Sequence, residues 1–231
     1  MPARNSRKIY VDGSYYHIYN RGVEKRIIFT DRQDYGVFLH YFKEYLSPKE
    51  EEDLKKQLSK TDLPYKEKAD LQRLLRLNNF HDEIALIAYC LMPNHFHLLI
   101  KQKSAGSIDK FMNSLCTRYT MFFNKKHKRV GSLYQDVYKA VLVKSNEQLL
   151  HLTSYIHRNP VSKRMKQKND LNRYLSQPSS LPEYLGIRKT SWVHEEEILP
   201  YFSKTNPKLS YKAFVLQQHD LTFISKLAID L

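Results

Sequence analysis

Two hydrophobic periods alternate along this chain. From Ile84 to Ile100 a nearly unbroken apolar run reads as two buried strands, near 83–92 and 94–101, joined at Met92-Pro93-Asn94. Tyr15 to Asn20 alternates and predicts a first strand, which Asn20-Arg21-Gly22 ends. Leu133 to Val143 predicts a further strand. Between these lie stretches with helical spacing. Ile108, Phe111, Met112, Leu115 and Tyr119 recur at three and four within a helix expected over 107–126. Thr30 and Gln33 form a capping box that opens a helix to about Tyr45; Ser47 with Glu50 and Pro48 forms a second. Ser145 and Gln148 form a third, opening a helix through Asn159 that Pro160 stops.

From Pro48 to Asn79 the chain turns rich in Lys, Glu, Leu and Gln, with a break at Thr61–Pro64. This reads as a peripheral hairpin of two amphipathic helices. Beyond Asp170 the chain is loop-rich until Trp192, and two short helical patterns close it. The order β-α-hairpin-β-β-α-β-α predicts an α+β fold: a central four- to five-stranded, mainly antiparallel sheet with helices packed on it. The boundaries expected are a main domain over 1–175, interrupted by the 48–79 hairpin, and a helical extension over 176–231.

Composition narrows the function classes. Of 231 residues 42% are hydrophobic, enough for a globular core. No apolar run of about 18 residues occurs and no apolar stretch follows the basic N-terminus, so neither a membrane span nor a secretory signal is expected. Cys90 and Cys116 are the only cysteines; they suit a reduced cytoplasmic protein and exclude a cysteine-rich zinc site. The formal net charge is +14, and between Lys101 and Arg173 there are 16 Lys or Arg against 4 Asp or Glu. Aromatics are interleaved with these bases: Tyr119, Phe122, Phe123, Tyr134, Tyr138 and Tyr155. Cations for phosphates beside rings for unpaired bases suit single-stranded nucleic acid. The plain alternative is that most rings are core, Phe122 among them, and most lysines are solvated.

The candidate chemistry centres on His95 and His97. Along a strand they share one face, about 7 Å apart by the usual rise, while Phe96 points to the other. Two such imidazoles can close on one metal ion; they can equally be strand histidines bonded to backbone or water. Tyr155 and Asn159 are four apart on the last predicted helix and share its face, beside an apolar stripe of Leu149, Leu152 and Ile156. His17 reads as a packed or hydrogen-bonded histidine. His151 and His157 lie on other helix faces than Tyr155. Tyr134 and Tyr138 compete as nucleophiles but sit on a predicted strand without an Asn partner.

Met92-Pro-Asn-His-Phe-His-Leu-Leu99, Asn20-Arg-Gly22, Gly131-Ser-Leu-Tyr-Gln135 and Tyr155-Ile-His-Arg-Asn-Pro-Val161 together resemble the IS200-like transposases, in particular the REP-associated tyrosine transposases. The resemblance runs from about Tyr15 to Gly186, and Trp192–Gln218 is similar to a tail many such proteins carry. It implies an HUH single-strand endonuclease domain of ferredoxin-like type with one catalytic tyrosine. It implies Tyr155 as nucleophile, His95, His97 and Asn159 as ligands of Mg²⁺ or Mn²⁺, and hairpin-bearing single-stranded DNA as substrate. The reaction implied is cleavage and rejoining through a 5′-phosphotyrosine. Asn20, Arg21, Arg118, Lys125, Lys126, Lys128, Arg129 and Arg158 are the expected DNA contacts. A bacterial, cytoplasmic, nucleoid-associated protein is expected, with no membrane partner, as a monomer or a homodimer. Two other readings stand beside this one. One is a non-catalytic nucleic-acid binder descended from a transposase. The other is a replication-type nickase of the same fold, though helicase segments and a tyrosine pair are absent from the sequence.

Overall fold

A computed structural model describes residues 8–160 and 171–217. The basic N-terminal residues 1–7, Val161, the four bases Lys163, Arg164, Lys166 and Lys168, and Gln218 lie outside the described residues. Strand β1 (Tyr15–Arg21) leads through a short 3-10 turn to α1 (Arg32–Leu46). Helices α2 (Glu51–Leu58) and α3 (Tyr65–Arg76) form the hairpin; neither has a buried residue. The β2 (Ile84–Met92) and β3 (His95–Gln102) hairpin follows, then α4 (Ser107–Lys126), β4 (Lys139–Leu142) and α5 (Asn146–Arg158). The C-terminal segment holds three short helices, α6 (Leu171–Tyr174), α7 (Leu181–Tyr184) and α8 (Tyr211–Leu216).

All strand pairs are antiparallel and the sheet order is β2-β3-β1-β4. With one helix after β1 and one after β3, this is the β-α-β-β-α-β ferredoxin-like arrangement. β1 and β3 are interior strands, so their side chains are covered on both faces. The alternation sorts those faces. Phe96 packs its ring on Phe38 of α1 and on Tyr134, at 5.6 and 5.9 Å. His97, one residue on, packs on Tyr155 of α5. Thus α1 and α5 lie on opposite faces of the sheet.

The C-terminal segment closes the outer side of β2. Leu91 N–H donates to Pro178 O and Ser180 N–H to Tyr89 O, at 2.9 and 3.1 Å. Trp192, Val193, Ile198, Tyr211 and Val215 join the same hydrophobic core as the sheet. An otherwise open strand edge is thereby paired and covered.

Several local expectations shift. Asp31, not Thr30, caps α1, accepting from the N–H groups of Gln33 and Asp34. Thr30 instead donates its hydroxyl and its N–H to the buried Asp34 carboxylate. Ser47 does not open a helix; it is the C-cap of α1, and α2 begins at Glu51. Lys49 ties this corner by donating to the carbonyls of Leu75 and Leu77 at the end of α3. The expected strand 133–143 survives only as β4, because residues 133–138 turn away to bond with the end of β1. Gln135 N–H donates to Arg21 O, and Asn20 Nδ2 to Asp136 O. Of the Phe pair on α4, Phe123 is buried and Phe122 only half-buried. Ser145 caps α5 as expected, accepting from Gln148 N–H while Gln148 Oε1 accepts from Lys144 N–H.

Candidate active site

The candidate site lies where α5 crosses β3 and β1. His95 opens β3 and His97 follows on the same face, with ring centroids 5.0 Å apart and planes nearly perpendicular. His97 is fully buried and His95 almost so.

Each ring has its Nδ1 engaged. His95 Nδ1 lies 2.6 Å from Asn94 Oδ1. An amide oxygen only accepts, so in the tautomer with the proton on Nδ1 the shorter contact is a hydrogen bond and Nε2 presents a lone pair. His97 Nδ1 lies 2.9 Å from His17 Nε2, with the two rings stacked at 5.1 Å. His17 sits on β1 directly beside the strand that holds both histidines, and it is fully buried. Ligand histidines commonly have the second ring nitrogen held in this way, which sets tautomer and ring orientation.

Helix α5 supplies the other two groups. Tyr155 lays its ring edge-on against His97 at 5.6 Å and against His17 at 6.3 Å. Its hydroxyl and His97 Nε2 are both shielded from solvent. Asn159 caps the helix, and its Oδ1 lies 3.4 Å from His95 Nε2. A proton on Nε2 makes this contact a hydrogen bond; with the proton on Nδ1 the two acceptor atoms repel unless a cation comes between them. Two ligands of one ion, each at about 2.0–2.2 Å, sit within about 4 Å of each other, so this spacing suits a shared cation. Among the described residues no group of three or more His, Cys, Asp or Glu is set to hold a metal; the donors here are two imidazoles and an amide.

The grip on α5 comes from residues that periodicity does not reveal. His157, fully buried, places Nδ1 2.6 Å from the Tyr211 hydroxyl and Nε2 2.7 Å from Ser180 Oγ. Burial pushes its pKa down to about 3, so the ring is neutral. Arg158 donates to Gln217 O at 2.8 Å. A histidine on the apolar side of an amphipathic helix was the one available signal. The contribution of His17 had a similar one: a histidine in an alternating strand, in the parity that faces its neighbour's histidines. Gly22, of the Asn20-Arg-Gly triplet, is there for space. A Cβ would meet Arg26 O at 2.3 Å.

The rival tyrosines are elsewhere. Tyr134 packs on Phe96 and Tyr138 bonds with Tyr10 and Asp109, both away from the histidine face. Burial pushes both phenols well up. The expected DNA contacts divide. Arg118 pairs with Glu44 at 2.5 Å and lies 3.8 Å over the Tyr41 ring. Lys126 holds Asp31 and Asp34 at 2.7 Å. Their charges are matched within the fold. Asn20 is bonded to Asp136 and Arg21 backbone, and Arg129 to Asn124 and Ser132 O. Lys125 and Lys128 are exposed, and Arg21 pairs with His95 in the sheet register.

Residues 56–159 match the family described as transposase IS200 like. No curated protein matches the chain significantly. Among solved structures, a REP-associated tyrosine transposase bound to a REP hairpin aligns with TM-score 0.48 and 12% identity, covering 82% of this chain and 96% of that one. A chain described as a transposase of Deinococcus radiodurans R1 aligns with TM-score 0.35 and 15% identity, covering 66% and 95%. Neither likeness is close enough to carry a ligand or a mechanism across. Among the described residues no helix is long and apolar enough to cross a membrane. The matched segment, which includes both histidines, Tyr155 and Asn159, is thus similar to the IS200-like transposases.

Proposed function

We propose that this protein is a transposase that cuts and rejoins single-stranded DNA beside hairpins, with Tyr155 as nucleophile and with Mg²⁺ or Mn²⁺ held by His95, His97 and Asn159. The observation that carries the reading is the approach of His95 Nε2 and Asn159 Oδ1 to 3.4 Å, on the helix that also lays Tyr155 against His97. A bound divalent ion would polarise the scissile phosphate and offset charge in the transition state.

The rest of the chemistry belongs to the chain. An unperturbed phenol has a pKa near 10, so it attacks a phosphodiester at neutral pH only with help. Tyr155 forms a bond from its phenolic oxygen to phosphorus, the bond to the 3′-oxygen breaks, and a proton ends on that oxygen. The products are a 5′-phosphotyrosine and a 3′-hydroxyl. A second 3′-hydroxyl attacking the same phosphorus reverses the step on another strand, so no ATP is required. His17 and Asn94 keep both imidazoles in one tautomer. The shielding of Tyr155 and His97 means α5 must yield to let a strand in. The exposed Lys125 and Lys128, with Arg21, are the phosphate contacts that fit best.

The test is a labelled hairpin with single-stranded flanks, incubated with Mn²⁺ or with a chelator. Metal-dependent cutting that leaves a free 3′-hydroxyl is expected. Equal cutting with chelator present rejects the metal, and tight binding without any cutting favours the non-catalytic reading.

A further inference from the structure

A second concave site lies at the same end of the sheet, on the face away from the histidines. It has a volume of 510 Å³ between α4 and residues 132–138. One wall is a stripe of α4. Asn113, Thr117, Thr120 and Met121 follow at three- and four-residue spacing, opposite the buried stripe of that helix. The other wall is the loop carrying Gln135 and Val137. Met121 and Val137 are 68% and 61% exposed, large apolar groups left open to water.

The loop wall is mounted on the candidate active site. Gln135 N–H donates to Arg21 O, and Arg21 faces His95 across the sheet. Asn20, which also lines the cavity, donates to Asp136 O from the neighbouring position. The cavity and His95 thus border the same end of β1, through Asn20 and Arg21.

The lining has the chemistry of a base reader. Side-chain amides offer a donor and an acceptor side by side, the pattern that matches an adenine edge, and hydroxyls adapt to either role. Exposed Met and Val give a flat purine or a thymine methyl an apolar surface. Lys125, one turn beyond Met121, is exposed beside it for the adjoining phosphate. We propose that this cavity takes one unpaired nucleobase of the DNA strand and thereby sets which phosphate reaches the histidines. The proposal rests on the single-strand DNA reading above.

The experiment uses the full chain carrying Tyr155→Phe, so that binding is read without cleavage. Hairpins with single-stranded flanks are scanned with one abasic position at a time, and affinity is followed by fluorescence anisotropy. One flank position is expected to lose about tenfold or more in affinity when abasic, in the range of a stacked, hydrogen-bonded base. Asn113→Ala with Gln135→Ala should bind the intact DNA as weakly as the parent binds that abasic one, and should be indifferent to the same lesion. Thr117→Phe, which fills the cavity from an exposed helix position, should do likewise with an unchanged melting temperature. An abasic profile that is flat in the parent, or the same in parent and variants, overturns the pocket while leaving the cleavage reading standing. Failure of the parent to bind single-stranded DNA at all removes both.

Discussion

His17 Nε2 lies 2.9 Å from His97 Nδ1, and the two rings stack across the centre of the sheet. This contact occupies Nδ1 of His97 and leaves Nε2 as the nitrogen that would ligate a metal. Removing it should loosen the metal site without removing a ligand. His17→Phe is expected to raise the Mn²⁺ concentration needed for half-maximal cleavage by about 10- to 100-fold, the usual cost of losing such a partner. His17→Gln, whose amide can still bond His97, should fall between. An unchanged Mn²⁺ titration in His17→Phe would assign this histidine to packing alone.

The basic residues separate into those that hold the fold and those that face outward. Lys125→Ala and Lys128→Ala are expected to weaken DNA binding and to lower the slope of log affinity against log salt by about one each, as lost phosphate contacts do. Arg118→Ala should leave that slope alone and cost about 1–3 kcal/mol of stability, since it removes the shortest of the ion pairs on Glu44, which also meets Arg73 and His40, and the cation over Tyr41. A salt titration beside a denaturant melt distinguishes the two groups.

The cluster on the buried carboxylate of Asp34, in the first turn of α1, sets acid sensitivity. Burial alone would raise this carboxyl, but hydrogen bonds from Lys126, Thr30 and His127 outweigh it and hold the pKa below 3.8. A lowered folded value means the stabilisation is fully present above about pH 4 and is lost as pH falls through the folded pKa. Asp34→Asn should cost about 2–3 kcal/mol at pH 7 and remove that acid-side loss. Denaturant melts at pH 7 and below pH 4 measure both.

His157 predicts a second pH window. Its folded pKa of about 3 lies below the ordinary 6.5. Below about pH 6.5 the unfolded chain takes up a proton that the folded chain refuses, so stability falls as pH drops. The slope from this group approaches about 1.4 kcal/mol per pH unit. His157→Gln should be less stable at pH 7 yet flatter between pH 6.5 and 5. Equal slopes in the two proteins would mean the ring is already charged inside the fold.

Much of this architecture was legible in the chain. The two-residue alternation placed β1 and a nearly unbroken apolar run placed β2 and β3, each within a residue or so, and the three-four spacing placed α4. The parity of His95 and His97 put two rings on one strand face and the helical spacing of Tyr155 and Asn159 put two side chains on one helix face; only the resemblance to IS200-like transposases joined the two pairs. The misreadings share a cause. Thr30 and Ser47 carry capping chemistry, but their neighbours place them otherwise: Asp34 takes the Thr30 hydroxyl, and Ser47 ends α1, where Asn79 Nδ2 donates to its backbone carbonyl at 2.8 Å. Leu133 to Tyr138 has strand composition, but Asn20 and Arg21 capture its backbone. The bonds from His17, Asn94 and His157 depend on strand register and on a C-terminal segment far away in sequence. No local pattern announces such partners.

The account stands most directly on a covalent bond. Full-length protein, Mn²⁺ and a hairpin with single-stranded flanks are combined, and the mixture is run on a denaturing gel with the DNA labelled on the 3′ side of the cut. A protein band that carries label and resists denaturation is expected from the parent. None is expected from Tyr155→Phe, which lacks only the hydroxyl, nor from the His95→Ala, His97→Ala double variant, which keeps Tyr155. A labelled adduct that persists in Tyr155→Phe would contradict the assignment of the nucleophile and, with it, the reading of this site.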